Sequence, residues 1–238
     1  MKILKLTNIL LPLFILSGCY WEMTESVSGN GDVVTEERDV PEFNALSVSA
    51  GIDVYITQGD EEHLKVITDE NLLDIIRTEV KDDLLKIYAA KNIRRAASKK
   101  VYVEYVNLNK IKISSAGDVK GENTLKTSEL KIRLSSAGDL ILDVIAREID
   151  INISSSGNAK LTGKTGNLKA NLSSAGDLNA FDLEAEIGDI SVSSAGDARV
   201  FITEEASFSS SSAGDIVYKG NPEIRHMRTS SSGSIRKK

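Results

Sequence analysis

The pentapeptide SSAGD at Ser114–Asp118 returns at Ser135–Asp139, Ser173–Asp177, Ser193–Asp197 and Ser211–Asp215. Two degenerate copies, Ser154-Ser155-Ser156-Gly157-Asn158 and Ser230-Ser231-Ser232-Gly233-Ser234, complete the series. Its glycines, Gly117, Gly138, Gly157, Gly176, Gly196, Gly214 and Gly233, are spaced by 21, 19, 19, 20, 18 and 19 residues. Such a fixed period is the mark of a repeat architecture. Four and six positions before the glycine stand Ile113 and Ile111, Leu134 and Ile132, Ile153 and Ile151, Leu172 and Ala170, Val192 and Ile190. Two positions after it come Val119, Leu140, Ala159, Leu178, Ala198 and Ile216. Alternation of this kind encodes strands with one buried face on both sides of a tight turn.

An antiparallel meander would send successive turns to opposite ends of a sheet, whereas every unit here carries the same turn in the same phase. A leucine-rich repeat has the period but requires a Leu-x-x-Leu-x-Leu…Asn signature that is missing. The pattern therefore predicts an all-β chain folded as a parallel β-helix, or β-solenoid, with coils of about 20 residues stacked about 4.8 Å apart. The pentapeptide reads first as a corner piece. Glycine supplies a positive φ, Ser and Ala are small enough to stack, and serine hydroxyls can bond backbone groups freed by the bend. The Asp can close an Asx-type turn.

The N-terminal half is less regular. Val48-Ser49-Ala50-Gly51-Ile52-Asp53-Val54 keeps the interval between flanking valines but moves the glycine by one place, and Gly29-Asn30-Gly31-Asp32-Val33 reads as a still earlier corner. His63–Thr68, Leu84–Ala89 and Val101–Val106 read as strands, Asn71–Arg77 as a short helical turn, and Asn92–Lys100 as a solvated loop. The terminal Arg236-Lys237-Lys238 reads as a frayed end.

The chain opens with Lys2 and Lys5, an apolar run Ile9–Leu16, and Leu16-Ser17-Gly18-Cys19. This is the layout of a secretory signal, and its end resembles the bacterial lipobox, in which the cysteine is lipidated after cleavage. The alternative is an ordinary signal peptide with a chance cysteine; Cys19 is the only cysteine of the chain and stands at the required place. The division expected is 1–18 signal peptide, 19–32 lipidated tether, 33–110 N-terminal β section and 111–238 regular coils. One cysteine forms no internal disulfide, so the exported body rests on its core. Two or more lipid chains anchor stably, so the membrane is an expected partner through Cys19, with Tyr20 and Trp21 at its interface. Loss of residues 1–18 removes Lys2 and Lys5 and no acid, taking the net charge from −6 to −8. An acidic body lacks the basic footprint of nucleic-acid binding.

Val33–Val40, Phe43-Asn44-Ala45-Leu46, Gly51–Gly59 and Asp69-Glu70-Asn71-Leu72-Leu73, with the Ser-Ala-Gly-Asp corners downstream, resemble the head GIN domain family, described as putative auto-transporter adhesins and common among envelope lipoproteins of Bacteroidetes-type bacteria. The resemblance covers residues 30–238 and implies a β-helical body with duplicated parts, an adhesin-type role and an outer-membrane address. It brings no catalytic set, and the corners at Asn158 and Ser234 depart from it by losing the acid.

In-register stacking lines up Asp118, Asp139, Asp177, Asp197 and Asp215 on one edge. Neighbouring carboxylates about 4.8 Å apart repel by roughly 0.9 kcal/mol in water. The row is a candidate Ca²⁺ or ligand edge; the competing and favoured reading is that each Asp caps its own turn and faces water, since the calcium-binding nonapeptide pattern is missing. No cofactor is otherwise called for. His63 and His226, the two histidines, lie far apart in sequence, and the serines have no paired histidine base. The residues thus point to a non-enzymatic envelope lipoprotein for adhesion or envelope interaction, with glycans or envelope and host proteins as partners. A pectinase-like polysaccharide lyase or hydrolase is the alternative by fold analogy alone, and a periplasmic scaffold or signalling component a third reading.

Overall fold

The computed structural model describes residues 25–238; the expected signal peptide 1–18 and Cys19, Tyr20 and Trp21 lie outside them. The body is a parallel β-solenoid, as the period predicts. From Asp139 onward each circuit is essentially one long strand bent around the core: Asp139–Ile153, Asn158–Leu172, Asp177–Val192 and Asp197–Ser210. Corners join them, and like residues pair: Leu140 with Ala159, Ala159 with Leu178, Leu178 with Ala198. Because side chains alternate along a strand, the inward positions Ile111, Ile132, Ile151, Ala170 and Ile190 stack into one buried aliphatic ladder.

The corner differs from its reading in the sequence. Left-handed φ angles fall on the two residues before the glycine, Ser115 (52°) and Ala116 (55°), and recur at every corner through Ser231 (49°) and Ser232 (64°). With Gly117 N–H donating to the Ser114 carbonyl at 3.1 Å, each corner is a type I′ turn. The glycine follows the turn and is needed for room: a Cβ on Gly176 would stand 2.8 Å from Ile153 Cγ2 and 3.0 Å from the Ile153 carbonyl oxygen. An L-residue in the left-handed region costs roughly 1–2 kcal/mol. The cost is offset between coils, where the Ala116 N–H donates to Ser136 O (2.9 Å), Ala137 to Ser155 O (3.0 Å), and so on to Ala213 and Ser231. The backbone groups freed by one turn therefore mostly bond the next turn. Serine hydroxyls share the role expected of them only at a few places, Ser154 and Ser193 donating to Leu134 O and Leu172 O at 3.5 Å and Ser210 to Gly214 O at 2.5 Å.

The N-terminal variant joins the same ladder. There Ala50 (67°) and Gly51 (60°) hold the left-handed pair, Gly51 N–H donates to Ser115 O, and Ile52 fills the place of Gly117. Chain order departs from stacking order here. Strands Ala45–Val48 and Asp53–Gln58 lie between Lys110–Ile113 and Asp118–Gly121 on one side and Leu84–Ala89 and Lys99–Tyr105 on the other. Antiparallel strands Val33–Arg38, His63–Asp69 and Ile76–Lys81 close this end.

Several local expectations need correction. Asn92–Lys100 is not a loop throughout: Asn92–Arg95 pairs with Ser26–Ser28, and Lys99 opens a strand. Only Glu70–Leu72 forms a helical turn, of 3-10 type, and Ile76 and Arg77 already belong to a strand. Gly29–Asp32 is no stacked corner. It docks on Asp69, whose carboxylate is buried and accepts from the N–H groups of Gly31 (2.6 Å), Ala97 (2.8 Å) and Ser98 (3.3 Å). Ordered structure thus includes the stretch just before residue 33. Nor does the C-terminus fray: Ser234–Lys237 pairs with Asp215–Tyr218 and Lys238 N–H donates to Tyr218 O. The last coil is open all the same, with every residue of Glu223–Thr229 exposed.

Candidate functional site

The stacked corners place unlike chemistry on their two flanks. Immediately after the glycine, Asp118, Asp139, Asn158, Asp177, Asp197, Asp215 and Ser234 pair one with the next in strict register. The row reaches further than the sequence-based set, because Asp53 pairs with Asp118 and Lys100 with Asp53. The shared interval from Val48 to Val54 and from Ile113 to Val119 already contained that alignment. Asn158 relieves repulsion at mid-row by donating from Nδ2 to Asp139 Oδ1 at 2.8 Å. Arg236 closes the far end, 3.5 Å from Asp215 Oδ2.

The electrostatics follow from this geometry. Partial burial, then the carboxylates of Asp139 and Asp53, raise the Asp118 carboxyl above its usual range, against the pull of Lys99. Burial and the Asp197 carboxylate raise Asp177 likewise, against the Asp197 N–H and Arg199. The neighbours that oppose ionisation are members of the row itself. Among the described residues no three acidic, histidine or cysteine side chains converge to hold a metal ion; the acids are spread one per coil.

Two residues further along each strand runs a second outward row, Tyr102, Tyr55, Lys120, Ile141, Lys160, Asn179, Arg199, Val217 and Arg236. It sets a cation beside the acidic row on every second coil. Its N-terminal end is aromatic, with Tyr55 stacked on Tyr102 at 4.8 Å and Lys120 Nζ 5.8 Å from the Tyr55 ring. A shallow groove of about 340 Å³ lies between the rows, bounded by Asp139, Asp177 and Asp197 and by Lys160 and Arg199. A second, of about 290 Å³, continues it past Asp53, Asp118, Tyr55 and Lys120. This flank offers repeated shallow contacts along the stack; a larger hollow of about 810 Å³ lies elsewhere, beside Phe43, Asp60 and Asn107.

The histidines are not brought together. His63 meets Glu37 at 2.6 Å in the N-terminal section, and His226 lies on the last coil.

The sequence profile of "Putative auto-transporter adhesin, head GIN domain" matches residues 42–222. The fold is similar to that of a putative adhesin from Bacteroides fragilis, 24% identical, with a TM-score of 0.81 over 89% of this chain and 100% of that one. A putative adhesin from Parabacteroides merdae is 22% identical, with a TM-score of 0.75 over 90% and 100% of the two chains. A protein from Parabacteroides distasonis described as a putative lipid binding protein is 24% identical, with a TM-score of 0.69 over the same shares. No curated protein matches the chain. With the profile spanning the N-terminal section and nearly all of the stacked corners, the chain belongs to the head GIN domain family.

Proposed function

We propose that this protein is a non-enzymatic lipoprotein, anchored in the outer membrane through Cys19, that mediates adhesion or another envelope interaction along the side of its solenoid. The lipobox-like Leu16–Cys19 supports the anchor, and the adhesin description of the family supports the role. The observation that carries the reading is the in-register repetition from Asp53 to Asp215. Catalysis gathers unlike groups around one reacting atom. Here like groups recur coil after coil, an arrangement that meets an extended partner through many equivalent contacts, as solenoid surfaces do.

Attachment assays test this. Cells carrying the protein should bind immobilised glycans, host matrix or other cells better than a deletion strain does. Cys19→Ser protein should leave the envelope fraction and fail to restore attachment. Equal attachment with and without the protein would refute the role. Release of new reducing or unsaturated ends from acidic polysaccharides by the purified protein would refute its non-enzymatic character.

A further inference from the structure

The flank before the corner gathers positive charge on its first two coils. One outward row there runs Lys110, Lys131, Asp150, Lys169, Asp189; the next runs Lys112, Arg133, Asn152, Asn171, Ser191. Lys110, Lys112, Lys131 and Arg133 are exposed and occupy two adjacent coils, Lys110 beside Lys131 and Lys112 beside Arg133. Among the described residues none of the four forms an ion pair. Like charges directly opposite each other on paired strands are destabilising, and at about 4.8 Å each pair repels by roughly 0.9 kcal/mol in water. The rows continue with Asp150 beside Lys131 and Asn152 beside Arg133, so the positive charge is confined to two coils, where two like-charged pairs stand side by side on a chain of net charge −6. A bound anion would remove that repulsion.

The second row also forms one wall of a groove of about 430 Å³. Lys112 and Arg133 line it at one end, Asn152 and Asn171 further on, and the first serines of successive corners, such as Ser135 and Ser154, form the other side. Successive lining residues come from successive coils, so the groove follows the stack. Guanidinium and ammonium groups select carboxylate or sulfate, while amides and hydroxyls match a ligand rich in hydroxyls. We propose that this groove binds a linear acidic polysaccharide laid along the solenoid, its anionic groups on Lys112 and Arg133 and its hydroxyls on Asn152, Asn171 and the corner serines. A bilayer surface fits less well, since Lys112, Arg133, two amides and a file of serines line the groove and the exposed Ile141 and Ile145 lie outside the lining. The assignment rests on the adhesion reading and gives it a ligand class.

The test uses full-length protein in detergent, with immobilised polygalacturonate, alginate and chondroitin sulfate as probes. Neutral dextran, phosphatidylglycerol-containing vesicles and single-stranded DNA serve as comparisons. Wild-type protein should bind at least one acidic polysaccharide, less tightly as salt rises, and should not bind dextran. Lys112→Glu combined with Arg133→Glu should weaken binding by roughly a hundredfold, about tenfold per reversed charge, with unchanged circular dichroism. Lys126→Glu with Lys164→Glu, exposed on either side of Ile145 and outside the groove lining, should leave it within about twofold, since charge away from the lining is screened by salt. Binding to none of the acidic polysaccharides, equal binding by the Lys112/Arg133 variant, or preference for vesicles or DNA would each overturn the assignment. If cells bearing that variant attach like wild type, the groove assignment fails and adhesion stands. If attachment does not depend on the protein, adhesion fails even where purified protein retains polysaccharide.

Discussion

Substituting adjacent corner residues should move stability in opposite directions. Ala175 holds a φ of 59°, and Gly176 next to it lies outside the left-handed region. Ala175→Gly removes a left-handed strain of roughly 1–2 kcal/mol and adds about 0.5–1 kcal/mol of unfolded-state entropy. The net gain is about 0–1.5 kcal/mol, the difference of those terms. Gly176→Ala drives a methyl to 3.0 Å from the Ile153 carbonyl oxygen and 3.1 Å from its carbonyl carbon, which are backbone atoms of the preceding coil. Overpacking of this kind costs roughly 1–3 kcal/mol. At about 2–4 °C per kcal/mol for a chain of this size, Ala175→Gly should raise the melting temperature by up to roughly 6 °C and Gly176→Ala lower it by roughly 2–12 °C. Scanning calorimetry of the mature chain carrying Cys19→Ser measures both. A fall with Ala175→Gly and no change with Gly176→Ala would refute the assignment of strain to the turn centre and of close packing to the glycine.

Asp177→Asn should stabilise the protein at neutral pH. The raised carboxyl favours the fold fully below its unfolded pKa of about 3.9 and loses that contribution as pH rises through the folded value, so the advantage of the variant should vanish in acid. An equal gain at pH 3 and pH 7, read by thermal melts, would contradict this. Asp69 has the opposite sign: burial opposes its ionisation, but the N–H groups of Gly31, Ser98 and Ala97 outweigh it and hold the carboxyl below its usual range. Its contribution is present above pH about 4 and lost as pH falls through the folded value; Asp69→Ala should lower the melting temperature at neutral pH and free the Gly29–Asp32 segment to hydrogen exchange. With acids spread one per coil, millimolar Ca²⁺ should raise the melting temperature no more than Mg²⁺ does, and a Ca²⁺-specific rise in calorimetry would restore a cation site to the Asp row.

The coil period was legible because its signal is redundant: Ile111 and Ile113, Ile132 and Leu134, and Ile151 and Ile153 each fix the inward face independently of the corner. From those residues the register, and with it the Asp row, follows. Misread was the division of labour within the corner. Positive φ goes with glycine by default, yet the I′ turn accepts Ser115 and Ala116 because inter-coil hydrogen bonds offset their strain, and those bonds exist only once coils are stacked. Asn92–Arg95 was hidden for a similar reason: four exposed or half-buried residues with two arginines carry no alternation strong enough to mark a strand whose partner is Ser26–Ser28. The basic strip was present in the spacing of 21 residues between Lys112 and Arg133, but outward positions tolerate many polar residues, so two cations one coil apart carry no periodic signal of their own. Stacking order at the N-terminus, where Ala45–Gln58 lies between segments later in the chain, leaves no local trace at all.

The claim beneath the acidic edge and the basic groove alike is that equivalent residues of successive coils are lateral neighbours, and disulfide trapping measures it directly. With Cys19→Ser as background, Asp177→Cys paired with Asp197→Cys should cross-link under mild oxidation, since register puts them side by side at about 4.8 Å, within disulfide reach. Asp139→Cys with Asp177→Cys, separated by the coil of Asn158, should not. Failure of the first pair, or equal trapping of both, would contradict the stacked register.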